Sequence, residues 1–128
     1  MLFRSGGGGG DGWRAHMTVP ASTRRLVLAR DGDECVHCGT DYGLTIQHRA
    51  NRGAGGSKLL DGPENLIVMC GLSNQRLESS AVFADLGRTL GWKIRRSDDP
   101  TMIPVRYASG DFYFLDKSGA RFLAEGDN

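Results

Sequence analysis

The spacing of apolar positions changes several times along the chain, and each change marks an element. In ASTRRLVLARDG (21–32), Leu26, Val27 and Arg30 span the buried and exposed faces of a short predicted helix. Ser22 or Thr23 is placed to cap its start and Gly32 to end it. DECVHCGTD (33–41) reads as a tight turn. LTIQH (44–48) alternates, with Leu44 and Ile46 on one face and Thr45 and Gln47 on the other, which predicts a strand. RANRGAGGSKLLDGPEN (49–65) is a long glycine-rich loop, and LIVMC (66–70) is a second short, wholly apolar strand. From Asn74 onward Leu77, Ala81, Val82, Leu86 and Leu90 recur at three- and four-residue spacing, which predicts one helix running up to Gly91. Beyond it WKIRR, IPVRYA, DFYFLD and ARFLA alternate between DDP, SGD and KSG turns, the pattern of a small antiparallel sheet or hairpin pair.

This order places the 128-residue chain in the α+β class, as one small domain. Residues 1–20 form a leader, 21–91 the core, and 92–124 a C-terminal β extension of the same domain. The leader holds five consecutive glycines, Gly6 to Gly10, which have much entropy to lose on ordering and no apolar surface to bury, so it is expected to be flexible. It lacks the apolar segment of a secretory signal, and Met17 is an alternative start. Nothing downstream has the apolar length of a transmembrane helix. The last residues, EGDN, are expected to fray.

Charge adds a local feature only. The formal net charge is +1, so no global field draws the chain to nucleic acid or membrane. Residues 1–60 carry eight Lys and Arg against five Asp and Glu, and residues 61–128 carry eight against ten. Between Tyr42 and Leu60 there are Arg49, Arg52 and Lys58 and no acid, which makes the loop basic. Three cysteines, an odd number without a secretory signal, argue against a disulfide framework and for a reducing, intracellular setting.

Cys35-x-x-Cys38 has the spacing of a metal knuckle, since two thiolates on one turn can both reach a tetrahedral Zn²⁺. Cys70 ends the second strand, and strand pairing would bring it to the same place. A fourth ligand would be sought two or three residues further on, where Ser73, a poor zinc ligand, stands. The fourth position is therefore open to His37, to an outlying residue or to water. A redox pair of Cys35 and Cys38, or buried cysteines without metal, are the alternatives. His48 ends the first strand where the basic loop begins, Asn65 opens the second strand, and Asn74 lies at the start of the helix. A strand–loop–strand–helix order gathers these three about one crevice.

With CVHCG, LTIQHR, RGAGGS, PENLIVMC and SNQRLES in order, the chain resembles the HNH endonucleases, and among them the small HNH proteins of bacteriophages. The resemblance covers roughly Arg24 to Leu77, with a weaker likeness in the tail. It implies a ββα core that binds one divalent cation, with His48 as general base, Asn65 holding the loop and orienting that histidine, and Asn74 on the metal. It also implies a structural zinc at the cysteines, double-stranded DNA as substrate, work beside the phage terminase, and residence in the cytoplasm of a bacterial host. Two positions depart from the family pattern. Gln47 stands where an Asp or His usually ligates the cation, and Ser73 stands where a fourth cysteine is common.

The residue types suit that chemistry. Phosphodiester hydrolysis needs a deprotonated water, an offset for the phosphate charge and a stabilised leaving alkoxide. A histidine near its ordinary pKa can do the first, and one divalent metal the other two. A backbone carbonyl near Asn65 is the expected partner for the other ring nitrogen of His48. The oxygens of Gln47 and Asn74 suit Mg²⁺ or Mn²⁺, and the thiolates suit zinc. Arg49, Arg52 and Lys58 are expected to neutralise phosphates, with Gly53, Gly55 and Gly56 allowing close approach. Arg24, Arg25 and Arg30 would extend the footprint or form a solvated helix face. Trp92, Phe112, Tyr113 and Phe114 are expected in the core. The competing reading is a zinc-stapled DNA-binding module that cuts weakly or not at all.

Overall fold

The computed structural model describes residues 19–51 and 58–124. The glycine leader, Arg52 with Gly53, Gly55 and Gly56, and the terminal EGDN lie outside the described residues, as does the side chain of Lys58. Among the described residues the fold is mixed α+β, with three α-helices and two small antiparallel sheets.

The first helix, α1 (Ala21–Arg30), ends where Gly32 allows it to end. Gly32 has φ +71, and its N–H donates to Ala29 O while that of Asp33 donates to Leu28 O. These two bonds close the last turn in a Schellman motif, for which a residue without Cβ is best suited. Its start differs from expectation. Pro20 is the N-cap and no side chain caps the helix, so neither Ser22 nor Thr23 has that role. The knuckle turn follows, closed by Cys35 N–H to Thr40 O and Gly39 N–H to Cys35 O.

Strands β1 (Leu44–His48) and β2 (Leu66–Cys70) pair antiparallel, Leu44 opposite Cys70 and His48 opposite Leu66. All five residues of β2 are buried, as its unbroken apolar run requires, and it is the centre of the core. Val36 N–H donates to Val68 O, which docks the knuckle turn on the edge of β2.

The helix expected from Asn74 to Gly91 is two helices, α2 (Gly71–Ser79) and α3 (Ala81–Thr89). Ser80 breaks the run in an extended conformation, and its hydroxyl accepts the N–H of Phe83 to start α3. The break shifts the helical phase. Phe83, Ala84 and Gly87 face inward, whereas Val82 is 80% exposed and Leu86 42%. WKIRR is likewise no strand. Only Ile94 pairs, as an isolated parallel bridge to Ala50, while Trp92 is fully buried with its indole N–H on Arg106 O. The remaining tail forms the expected sheet, β3 (Val105–Arg106), β4 (Phe112–Leu115) and β5 (Arg121–Leu123), in that order. Phe112, Tyr113 and Phe114 are half-buried rather than core.

Two buried arginines join these parts. Arg30 pairs with Asp31 and also donates to Pro63 O and Leu66 O. Asp31 in turn accepts from Val68 N–H and from the Tyr107 hydroxyl, so its two oxygens meet four donors from α1, β2 and the tail. Burial works against the Arg30 charge, but the bond and charge of Asp31 outweigh it and raise the pKa. Burial and the charge of Asp31 push the Tyr107 hydroxyl well above its ordinary range. Arg30 is therefore part of the interior and not of a DNA footprint.

Arg49 is 1% exposed. Its guanidinium donates to four backbone carbonyls: Gly91 O at 2.8 Å, Glu64 O at 2.8 Å, Pro100 O at 2.9 Å and Ile103 O at 2.6 Å. Gly91 has φ +80, and a Cβ there would collide with the carbonyl of Pro104, so only glycine turns the chain to meet this arginine. The expectation that Arg49 contacts phosphate is corrected by this geometry, because its donors are committed inside the protein. Replacing Arg49 by Met strips donors from four buried or part-buried carbonyls. It is expected to lower the unfolding free energy in urea by about 3 kcal/mol or more. Arg95→Ala, at an exposed guanidinium, should change it by less than about 0.5 kcal/mol.

Candidate functional site

The first cluster lies where the knuckle turn meets the end of β2. The sulfurs of Cys35, Cys38 and Cys70 all lie within 4.8 Å of one another, and together they can hold a metal ion such as zinc. The strand register is the cause, because pairing Leu44 with Cys70 sets the end of β2 beside the knuckle. Backbone amides serve the sulfurs: His37 N–H points to Cys35 Sγ at 3.4 Å and Ser73 N–H to Cys70 Sγ at 3.4 Å. Cys70 is also the N-cap of α2, where the helix dipole favours a thiolate. Burial works to raise the Cys70 thiol, but its hydrogen bonds to Ser73 and to the other cysteines outweigh it and lower the pKa. Burial raises the Cys38 thiol, aided by Cys35 and Cys70. All three thiols are free, and the arrangement is a triangle rather than a pair.

The second cluster is a cleft of about 240 Å³ at the other end of β1. Gln47, His48, Asn51, Glu78 and Lys93 line it, together with Ile46 and Arg49. His48 Nε2 lies 2.8 Å from Asp61 Oδ1, so the ring is held by a carboxylate on the 3-10 turn Lys58–Asp61 and not by the backbone carbonyl expected near Asn65. An ionised carboxylate only accepts, so Nε2 carries the hydrogen and Nδ1 is the basic nitrogen.

Asn65 is fully buried and binds the loop at both ends. Its Oδ1 accepts Ala50 N–H, and its Nδ2 donates to Ala50 O and Leu60 O. It touches the residue two places after His48, which fixes the end of β1. Asn74 donates from Nδ2 to Thr45 Oγ1 at 3.0 Å, tying α2 to the face of β1 that also carries Gln47. Glu78, one helical turn after Asn74, is on the same side of α2 and reaches the cleft. Gln47 donates from Nε2 to His48 O at 2.9 Å, which leaves Oε1 as its oxygen donor.

The structure thus brings His48 and Gln47 into one cleft with Glu78, and ties Asn74 to the same strand face. Arg49 also lines the cleft, but its guanidinium is held by four backbone carbonyls. Asp61, Glu78 and Lys93 were missed as site residues. Only Glu78 had a usable signal, its spacing of four from Asn74. A larger cleft of about 470 Å³ shares Arg49, Asn51 and Lys93 with the first and adds Arg88, Arg95 and Asp98, so basic side chains flank the site on the tail side. Among the described residues no helix is long and apolar enough to cross a membrane. No protein-family model, curated protein or solved structure matches this chain.

The sulfur cluster predicts a measurable metal dependence. Protein purified under reducing conditions is expected to carry about one equivalent of zinc, and a strong chelator should lower its thermal midpoint, because three ligands from two elements couple metal binding to folding. Cys70→Ala should abolish both effects, and a chelator-insensitive midpoint in the wild type would contradict the assignment.

Proposed function

We propose that this protein is a metal-dependent endonuclease of the HNH type that hydrolyses phosphodiester bonds of duplex DNA, by nicking or cutting. The observation that carries this reading is His48. It ends β1 with one ring nitrogen held by Asp61, and it stands beside oxygen donors in a cleft flanked by cations. The order β1, loop, β2, α2, with Asn65 locking the loop and Asn74 near the start of α2, agrees with the ββα core that the sequence resemblance implies.

The residues divide the work as follows. His48 Nδ1 takes the proton of the attacking water, and Asp61 keeps the ring in that tautomer and orientation. The oxygens of Gln47, Asn74 and Glu78 are hard donors that fit Mg²⁺ or Mn²⁺ rather than zinc. Such a cation, when bound, offsets charge on the phosphate and stabilises the leaving alkoxide. Gln47 brings no charge to it, and Glu78 supplies the carboxylate that position 47 lacks. Lys93, Arg88 and Arg95 take the role of phosphate contacts that the sequence pattern assigned to Arg49, and they bind without reading bases. A bacteriophage origin, action beside terminase and residence in the host cytoplasm complete the reading on the strength of the resemblance alone.

Gln47 also supports a second reading, a zinc-stapled DNA-binding module with weak or no cleavage. Its amide is neutral and half-engaged with His48 O. In that case DNA affinity depends on salt, and divalent ions change nothing.

Supercoiled plasmid with Mg²⁺ or Mn²⁺ separates the two. Wild type is expected to relax it, and His48→Ala to slow relaxation by about 100-fold or more. Equal nicking by His48→Ala, or none by the wild type, would contradict the nuclease. Glu78→Gln is expected to raise the Mn²⁺ concentration needed for half-maximal rate and to weaken Mn²⁺ in calorimetry. Lys93→Ala should reduce the salt dependence of DNA binding.

A further inference from the structure

The sulfur triangle has a fourth corner, and a side chain already stands there. Ser73, buried at 3% exposure, puts Oγ 3.3 Å from Cys70 Sγ and 3.8 Å from Cys35 Sγ, and the Cys38 and Cys70 sulfurs are 3.9 Å apart. At a tetrahedral zinc with Zn–S about 2.3 Å and Zn–O about 2.0 Å, a sulfur and an oxygen stand about 3.5 Å apart and two sulfurs about 3.8 Å apart. These three edges match those of a tetrahedron with three sulfur corners and one oxygen corner, and all three sulfurs lie within 4.8 Å of one another.

We infer that Ser73 Oγ is the fourth ligand of a Cys₃Ser zinc site, with His37 as the residue that positions it. A serine hydroxyl is a weak ligand in water, where its hydrogen and lone pairs are solvated. Here the hydroxyl is already out of water and 2.8 Å from His37 Nδ1. With its hydrogen directed to that nitrogen, a lone pair of Oγ is left for the metal. The imidazole cannot easily swing to the metal itself, because its ring is packed edge-on against Phe83 and Trp92, with centroids 5.0 and 5.1 Å away. Partners of this kind orient ligands and change affinity by about 10- to 100-fold when removed. The serine ligand also links α2, and through His37 the face of α3, to the knuckle turn.

X-ray absorption at the zinc edge of the full-length protein tests the ligand set. Three sulfurs at about 2.3 Å and one oxygen at about 2.0 Å, without the multiple-scattering signature of imidazole, are expected. In competition with a chromophoric chelator, Ser73→Ala should weaken zinc by about 10-fold or more, and His37→Ala by about 10-fold with the same three-sulfur shell. Ser73→Cys should bind at least as tightly as wild type and show a fourth sulfur, which keeps the test valid if Ser73→Ala folds poorly. An imidazole signature lost in His37→Ala, or unchanged zinc affinity in Ser73→Ala, would overturn the serine ligand. A wild-type protein that takes up no zinc with all thiols reduced would overturn the site as a whole.

Discussion

The buried guanidinium of Arg49 is the contact on which the rest of this structure depends. It follows His48 directly in the chain and binds four carbonyls from three separate segments, at Glu64, at Gly91, and at Pro100 and Ile103 of one turn. Burial, together with the nearby charge of Arg30, pushes its pKa down to about 10, which still leaves it fully charged at neutral pH. Carbonyl dipoles compensate that charge where water cannot reach it. Its backbone is fixed as well: Arg49 N–H donates to Asn65 O, and Arg49 O accepts Ile94 N–H. The end of β1, and with it the His48 ring, is thereby set against the loop, the end of α3 and the tail. The tail is consequently a wall of the cleft and not an appendage to it.

Much of this was legible in the sequence where local pattern decides local structure. The alternation of LTIQH and the apolar run of LIVMC predict β1 and β2, and the knuckle spacing with a cysteine at the end of β2 predicts the sulfur triangle. Gly32 ends α1 as expected. What was not legible depended on distant partners. Arg49 begins an acid-free, glycine-rich loop and so looks like a phosphate contact, but the carbonyls that bury it lie 15 to 54 residues further along. Asp61 became a partner of His48 only through the folding of a loop whose sequence carries no periodic signal. The division between α2 and α3 at Ser80 was hidden by apolar residues that keep a helical spacing across it. Val82 and Leu86 fit that spacing and still face solvent.

Staple and cleft sit at opposite ends of a single five-residue strand. At one end Leu44 pairs with Cys70 and fixes the cysteines. At the other His48 pairs with Leu66 and fixes the ring that lines the cleft. Helix α2 spans both, with Cys70 capping it, Ser73 at the sulfurs, Asn74 on Thr45 and Glu78 in the cleft. The two donor sets differ in chemistry as well as place. Thiolates select a soft or borderline metal, and amide and carboxylate oxygens select a hard one. Loss of the staple would therefore disturb the cleft through α2 and β1 without touching any residue that lines it.

The central proposal is that the two ends of the β1–β2 pair hold metal sites of different kind, and crystallography with anomalous scattering tests it most directly. Crystals of the wild-type protein grown with Mn²⁺ would be measured on both sides of the zinc edge and at a wavelength where manganese scatters anomalously. The account predicts a zinc peak among Cys35, Cys38, Cys70 and Ser73, and a separate manganese peak within reach of Gln47, Asn74 and Glu78 beside His48. A manganese peak at the sulfurs, or none in the cleft at millimolar Mn²⁺, would contradict it.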